Sequence, residues 1–555
     1  MSTAVDYKPP QAPDVEASHF DLEKKQSTVD HVEDSQQLDK TGHYANQIEH
    51  EETALSALRN HKWANLWIVY AIWVLVACSF DNNASSSILG IPQFRQDFGS
   101  AYAGSYVLPA KWQSAYSGGP AAATVIGAFA SGWVVDRIGR KLLIGGCYLI
   151  VMVGITVEII ANTTADPNAV FFAGKFINGL AIGGLISTVM SYVGELAPTA
   201  LRGVWTAMCA LAFTIGPFML AFILNAYGGL PNSWAYKSSF VAQYGVTGIG
   251  LALWPFMPES PTWLLVKGRD EKAARALKQL GYEGERAEHR LAMIKLTLAQ
   301  ARKETDGATY AECFKKSNLR RTIIAVMPLS IQAFSGIFWI AGYATYYFQL
   351  AGYTTSESFH LGIIQQCLSV FGNVLSWFMI ERFGRRFLSL WGLVILTVLL
   401  FLTGGIACIG TMSANKAVTA FILFYCWLYN VTIGATAYVA MSEISTSRLR
   451  AKTAALALLF QSAWGTFWSF ILPFIFNPDK ANLGAKTAFI FAAQSIICCV
   501  YFYFYHPETK GRTYEELDEM FREGVPARKF ATYVTEAQKR GEQVREDVAA
   551  GRAHL

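Results

Sequence analysis

Three charged signatures occur twice in this chain, in the same order and at nearly one offset. Asp136-Arg137-Ile138-Gly139-Arg140-Lys141 returns as Glu381-Arg382-Phe383-Gly384-Arg385-Arg386, 245 residues on. Glu195 with Arg202 returns as Glu443 with Arg450 at an offset of 248, and Pro258-Glu259-Ser260-Pro261 is echoed by Pro507-Glu508-Thr509-Lys510 at 249. Such a pattern requires a duplicated unit. Long apolar runs separate the signatures, so the unit is a bundle of membrane helices. Parallel repeats of that kind place a substrate site at the interface of the two halves.

Composition narrows this further. With 52% apolar and only 16% charged residues, the chain is too poor in charge for a water-soluble protein of its length. A helix needs about 20 mostly apolar residues to cross the hydrocarbon. Twelve stretches qualify, roughly 63 to 83, 112 to 135, 142 to 161, 168 to 192, 203 to 226, 236 to 257, 321 to 349, 359 to 380, 387 to 410, 417 to 442, 453 to 476 and 485 to 505. The expected organisation is an all-α membrane protein with a six-helix bundle over 61–257, a helical linker over 258–320 and a second bundle over 321–506.

Short loops give the orientation. Arg137, Arg140, Lys141, Arg202, Arg382, Arg385, Arg386, Arg448, Arg450 and Lys452 gather at one side. The longer opposite loops hold only Arg95, Lys111, Lys237, Lys416, Lys480 and Lys486. The first side is therefore expected to be cytoplasmic, together with both termini and the linker. Residues 1–60 carry twelve acidic and five basic side chains and few large apolar ones, which predicts a disordered acidic tail. Residues 507–555 form a C-terminal cytoplasmic tail. No cleavable leader is read, and the formal charge of +5 carries no nucleic-acid signal. Of the nine cysteines only Cys313 lies clearly outside a span and no pair has metal-ligand spacing, so neither disulfides nor a metal site is expected, and no cofactor is read. Asn162-Thr163-Thr164 is a sequon on a short outer loop.

The segment from Gly132 through Asp136-Arg137 to Gly139-Arg140-Lys141 resembles the loop signature of the major facilitator superfamily. Glu195-Leu196-Ala197-Pro198 with Arg202-Gly203, Pro258-Glu259-Ser260-Pro261-Thr262-Trp263-Leu264 and Pro507-Glu508-Thr509-Lys510-Gly511-Arg512 resemble the further signatures of its sugar porter family, over about 61 to 521. In the second copy Trp377 stands where the signature usually has Gly. The resemblance implies the major facilitator fold. It also implies gating roles at the inner surface for Asp136, Arg137, Arg140, Glu195, Arg202, Glu259, Glu381, Arg382, Arg385, Glu443, Arg450 and Glu508. Their carboxylates and guanidiniums would pair across neighbouring helices and separate as the inner mouth opens.

The finer likeness is to fungal maltose and other α-glucoside permeases. It rests on Pro109-Ala110-Lys111-Trp112-Gln113-Ser114, Tyr343-Ala344-Thr345-Tyr346-Tyr347 with Ala351-Gly352, Asn477-Pro478 and Gly484-Ala485-Lys486-Thr487. Where hexose porters usually carry a second Gln, a later Asn and a Trp, this chain has Ala333, Phe338 and Tyr438.

A sugar presents hydroxyls around an apolar ring face, so its site needs amide and phenol groups among aromatic platforms. Gln332, Tyr343, Tyr346, Asn373 and Tyr438 supply the polar candidates, and Trp464 and Trp468 the stacking surfaces. Among ionisable residues in the spans, Glu158 is four residues from Asn162 and is expected to reach the outer surface. Asp81 and Lys175 lie deeper in the outer half. Proton-using sugar porters resemble this, with an acid in the first helix and a base in the fourth. Pairing favours the charged carboxylate and burial the neutral one, so a conformational change could load or release a proton. Other charged positions associated with coupling in α-glucoside permeases are read here as Cys78, Thr124 and Leu458.

The expectation is a monomeric secondary active transporter in the plasma membrane. It would work by alternating access in the lipid bilayer, taking up a maltose-like α-glucoside with a proton as co-substrate and performing no covalent chemistry. A monosaccharide facilitator, an exporter of a glycosylated or polyol metabolite and a non-transporting sugar receptor stay open. The region after the last span is about 50 residues and lacks repeated motifs, which favours a carrier over a receptor.

Overall fold

The computed structural model describes residues 54–536 apart from 103–104, 199–200, 306–308, 446–448 and 513. Most of the acidic tail, the end of the C-terminal tail and Arg448 lie outside the described residues. The described end of the tail differs from the expectation of disorder, because Ala54–Asn60 is a helix.

The first half contains α1 (Lys62–Ser87), α2 (Ala110–Ile138), α3 (Arg140–Ile160), α4 (Pro167–Leu196), α5 (Arg202–Tyr227) and α6 (Trp234–Leu253). The linker that follows carries α7 (Asp270–Gln279) and α8 (Glu285–Thr305), flanked by the short helices Pro261–Val266 and Tyr310–Cys313. The second half contains α9 (Lys316–Phe334), α10 (Ile337–Leu350), α11 (Thr355–Phe383), α12 (Arg385–Ala407), α13 (Met412–Val431), α14 (Ile433–Ile444), α15 (Arg450–Phe476) and α16 (Ala488–Tyr505). A last amphipathic helix, α17 (Tyr514–Arg522), packs below it. Among the described residues the only sheet is a short hairpin, Ser100–Tyr102 against Ser105–Val107, between α1 and α2.

Among the described residues eleven segments are long and apolar enough to cross a membrane, against twelve expected. The difference is α6, which is helical but carries Lys237, Ser238, Ser239, Gln243, Tyr244 and Thr247. Its polar face turns inward. Ser239, Gln243 and Thr247 are buried, and the carbonyls of Val246 and Gly250 accept hydrogen bonds from Trp73 Nε1 and the Tyr70 hydroxyl of α1.

Two spans are interrupted. Between α9 and α10 the chain turns at Gly336, whose φ of 92° is left-handed. Between α13 and α14 it turns at Thr432, and the carbonyls of Ile433 and Gly434 both accept from Gln332 Nε2 at 3.0 Å. Broken backbone at membrane depth needs such an internal partner, because lipid offers none.

The duplicated signatures form one structure twice. Glu259 accepts from the backbone N–H of Arg140 at 2.9 Å and of Lys141 at 3.2 Å, capping the start of α3. Glu508 accepts from Arg385 at 2.9 Å and Arg386 at 3.0 Å, capping α12. The preceding glycines, Gly139 and Gly384, have φ of 94° and 89°, and a Cβ on either would strike the capping carboxylate. Ser260 donates to Glu195, which pairs with Arg140 at 2.6 Å. Thr509 donates to Glu443, which pairs with Arg385 at 2.9 Å. Each copy thus satisfies orphan N–H groups with a carboxylate at the positive end of a helix. Glu508→Ala is expected to lower the stability of the purified protein by about 1–2 kcal/mol, read as a drop in melting temperature, and Glu259→Ala should match it.

His506 follows α16 and is fully buried against the Phe502 ring at 4.8 Å, with no hydrogen-bond partner for either ring nitrogen among the described residues. Burial, and then the nearby Arg386, push its imidazole down from 6.5 to about 3. The folded state therefore holds it neutral while the unfolded chain binds a proton below 6.5, so stability falls as pH drops from 6.5 toward 3. The limit for one such group is about 1.4 kcal/mol per pH unit. Melting curves across that window should be steeper in pH for the wild type than for His506→Phe.

Candidate substrate cavity and buried charge cluster

A cavity of about 490 Å³ lies between the two halves. From the first half it is lined by Asn82, Asn83 and Ser86 of α1, Ser117 and Thr124 of α2 and Phe213 of α5. From the second come Phe338 and Tyr343 of α10 and Gln461, Ser462, Thr466 and Ser469 of α15. No carboxylate, ammonium, guanidinium or imidazole lines it. Amides and hydroxyls on aromatic walls suit a neutral, polyhydroxylated ligand.

Of the seven sugar-contact candidates, Tyr343 lines this cavity and the others stand around or away from it. Gln332 is buried behind the wall. Its Oε1 accepts from Gln461 Nε2 at 2.7 Å while its own Nε2 holds the break before α14, so it positions the cavity-lining Gln461. The Tyr438 hydroxyl accepts from the same Gln461 nitrogen at 3.3 Å. Tyr346 points to the closed end of the molecule, where its hydroxyl donates to Asn477 Oδ1 at 3.0 Å. Asn373 is half-buried on α11, away from the cavity lining. Trp464 packs on Phe334 at 4.7 Å, and Trp468 is buried against Phe491 at 4.6 Å. Neither indole forms a cavity wall, because the face of α15 that carries Gln461, Gly465 and Ser469 is the one turned inward.

Asn82, Asn83, Gln461 and Ser462 were not among the sequence candidates. The signal was present as adjacent polar pairs inside apolar runs, Asn82-Asn83 and Gln461-Ser462.

Asp81, next to the cavity-lining Asn82, meets Lys175 of α4, whose Nζ donates to Asp81 Oδ1 at 2.7 Å. A third charge joins them. Glu158 Oε2 lies 3.0 Å from the same Nζ, and Glu158 Oε1 accepts from Asn178 Nδ2 at 2.6 Å. The side chains of Lys175 and Glu158 have no exposure at all. This corrects the expectation that Glu158 reaches the outer surface: the helix places it on the face packed against α4, where Gly154 and Gly174 allow close approach.

The family described as "Sugar (and other) transporter" matches residues 67–521. The chain belongs to this sugar transporter family. Among curated relatives of this transporter, the "General alpha-glucoside permease" of Saccharomyces cerevisiae is 29% identical over 91% of the chain and 83% of its own length. The "Maltose permease MAL61" of Saccharomyces cerevisiae is 30% identical over 88% and 80%. Among solved structures, the proton:xylose symporter XylE bound to 6-bromo-6-deoxy-D-glucose superposes with a TM-score of 0.65 at 20% identity, covering 83% of this chain and 100% of that one. A partially occluded inward open XylE from E. coli gives 0.67 at 18%, covering 81% and 100%. These structures share the fold. The transporter is a multi-pass membrane protein and not an enzyme.

In this transporter the halves are hydrogen-bonded to each other at one end. Ala110 N–H donates to Asp479 Oδ2 at 2.9 Å, Gln113 Nε2 to Asn477 Oδ1 at 2.8 Å, Asn477 Nδ2 to the Leu108 carbonyl at 3.0 Å and Arg95 Nη2 to Gln349 Oε1 at 2.8 Å. All lie at the end opposite the basic loops. Among the described residues no ion pair bridges the halves, and the pairs Arg140 with Glu195 and Arg385 with Glu443 close within their own halves. Of the other gating candidates, Arg137 stacks on Trp133 at 3.6 Å, the Asp136 carbonyl accepts from Trp263 Nε1, and Glu381 pairs with Arg385 at 2.9 Å. The Arg382 carbonyl accepts from Lys510 Nζ, while Arg202 and Arg450 open α5 and α15.

Proposed function

We propose that this transporter takes up α-glucosides of the maltose type together with protons, by alternating access, as a monomer in the plasma membrane with both termini in the cytoplasm. The observation that carries the substrate class is the cavity of about 490 Å³, free of charged side chains and rimmed by amides and hydroxyls from both halves. That volume lies within the range of small-molecule sites, and the likeness to α-glucoside and maltose permeases fits it. The Asp81 and Lys175 pair beside the cavity supports proton coupling: a carboxylate there changes its proton occupancy when the pairing or the hydration changes. With the basic loops cytoplasmic, the hydrogen-bonded end is the outer one and the conformation is inward-facing. In that reading Gln332 and Tyr438 position Gln461 for the sugar, while the paired signature residues brace each half as it rocks.

The test is uptake of labelled maltose, trehalose, sucrose and glucose in a carrier-null yeast, with and without a protonophore. Saturable maltose uptake that the protonophore abolishes is expected. No uptake of any of the four, with the protein at the cell surface, would overturn the proposal in favour of export or sensing.

A further inference from the structure

We propose that Glu158 of α3 is a second proton-holding carboxyl of the coupling site, sharing one proton with Asp81 above the single ammonium of Lys175. The inference deepens the coupling role given to Asp81 and Lys175.

The charge count carries it. Two carboxylates contact one Nζ, at 2.7 and 3.0 Å, and the cluster is buried. Fully ionised it would hold a net negative charge in a low-dielectric interior, which is costly; one proton makes it neutral. The other charged side chains on the packed elements stand in their end turns, Lys62 of α1, Lys111, Asp136 and Arg137 of α2, Arg140 and Lys141 of α3, Glu195 of α4 and Lys237 of α6. Among the described residues none of these forms an ion pair with the cluster, whose nearer titratable neighbours are thiols and phenols such as Cys78 and Tyr116. None supplies a second cation. Rings of Phe171 and Phe240 lie 5.9 and 5.5 Å from Nζ, and Phe94, Phe98, Tyr116 and Tyr236 stack beyond them. This aromatic layer separates the cluster from Asp97, to which Tyr236 donates.

The hydrogen-bond pattern leaves room for the proton on Glu158. Its Oε2, though at ion-pair distance from Nζ, has no hydrogen bond of good geometry, and Asn178 Oδ1 beside it is likewise unpartnered among the described residues. An amide can serve either state: its Nδ2 donates to a carboxylate, and after a flip its Oδ1 accepts from a carboxyl. Asp81, adjacent to Asn82 at the cavity, is the member through which the proton enters and leaves.

Infrared difference spectroscopy on the purified transporter in lipid vesicles without sugar, titrated from neutral to alkaline pH, reads protonated carboxyls directly and does not depend on uptake. The wild type should show one protonated buried carboxyl. Both Glu158→Gln and Asp81→Asn should abolish that band, because either leaves a neutral ion pair with Lys175. Absence of the band from the wild type, or its persistence in either variant, overturns the proposal. A band that behaves as expected in a protein whose uptake ignores protonophores would support the shared proton while rejecting coupled transport.

Discussion

Asp81→Asn is expected to abolish accumulation of sugar against a gradient while leaving exchange of sugar across the membrane intact. The amide imitates a permanently protonated carboxyl in size and in lack of charge. Its oxygen can still accept from Lys175 Nζ, which now donates to Asp81 Oδ1 at 2.7 Å. What it removes is the dependence of the conformational equilibrium on a proton: a ligand shifts an equilibrium only by its differential affinity for the two states. Without that difference the sugar runs down its own gradient. The pH dependence of uptake should flatten at the same time. Counterflow and net accumulation, measured in one vesicle preparation with and without a protonophore, separate the two functions. A variant that still concentrates sugar would make the pair a static brace and the protein a facilitator.

Gln461→Ala and Gln332→Ala should both weaken transport, by different routes. Gln461 lines the cavity, and losing a buried hydrogen bond to a substrate hydroxyl costs about 1–3 kcal/mol, roughly 5- to 150-fold in apparent affinity. Thermal stability should fall less than in Gln332→Ala, because only the one bond to Gln332 Oε1 and the weaker one to Tyr438 are lost. Gln332 instead ties α9 to α15 and caps both free carbonyls at the start of α14. Its removal leaves buried acceptors unpaired, so the melting temperature should fall together with sugar affinity. Half-saturation constants and melting curves on the same purified variants check this. Equal stability losses, or an affinity change confined to Gln332→Ala, would reverse the assignment.

The repeated charged motifs were sufficient to read a two-bundle membrane fold, because the glycine before a helix and the distant glutamate that caps it, Gly139 with Glu259 and Gly384 with Glu508, recur together only where the same local structure recurs. The count of spans was less legible. In α6 the apolar average is diluted by Ser239, Gln243 and Thr247, which the structure buries inside the bundle, and hydropathy cannot tell an inward polar face from a solvated one. The same gap explains the site. Tyr343 could be picked out by residue type, but Trp464 and Trp468 show that an aromatic residue on the right helix can face the wrong way. Glu158 was misread because distance along the chain from Asn162 suggested an end position, whereas its partner Lys175 comes from another helix.

The clasp that joins the halves through Gln113, Asn477, Asp479 and Gln349 sets the character of the gate. Its bonds run between amides, carbonyls and single charged groups facing neutral partners, and each can be traded for water at a net cost of about 0.5–1.5 kcal/mol. A gate of this kind opens like a zip, tooth by tooth, with no single strong lock to break. With few opposed charges to screen, its balance is set by water activity and temperature far more than by salt. Osmotic conditions then become a natural dial on how often this end of the cavity stands open.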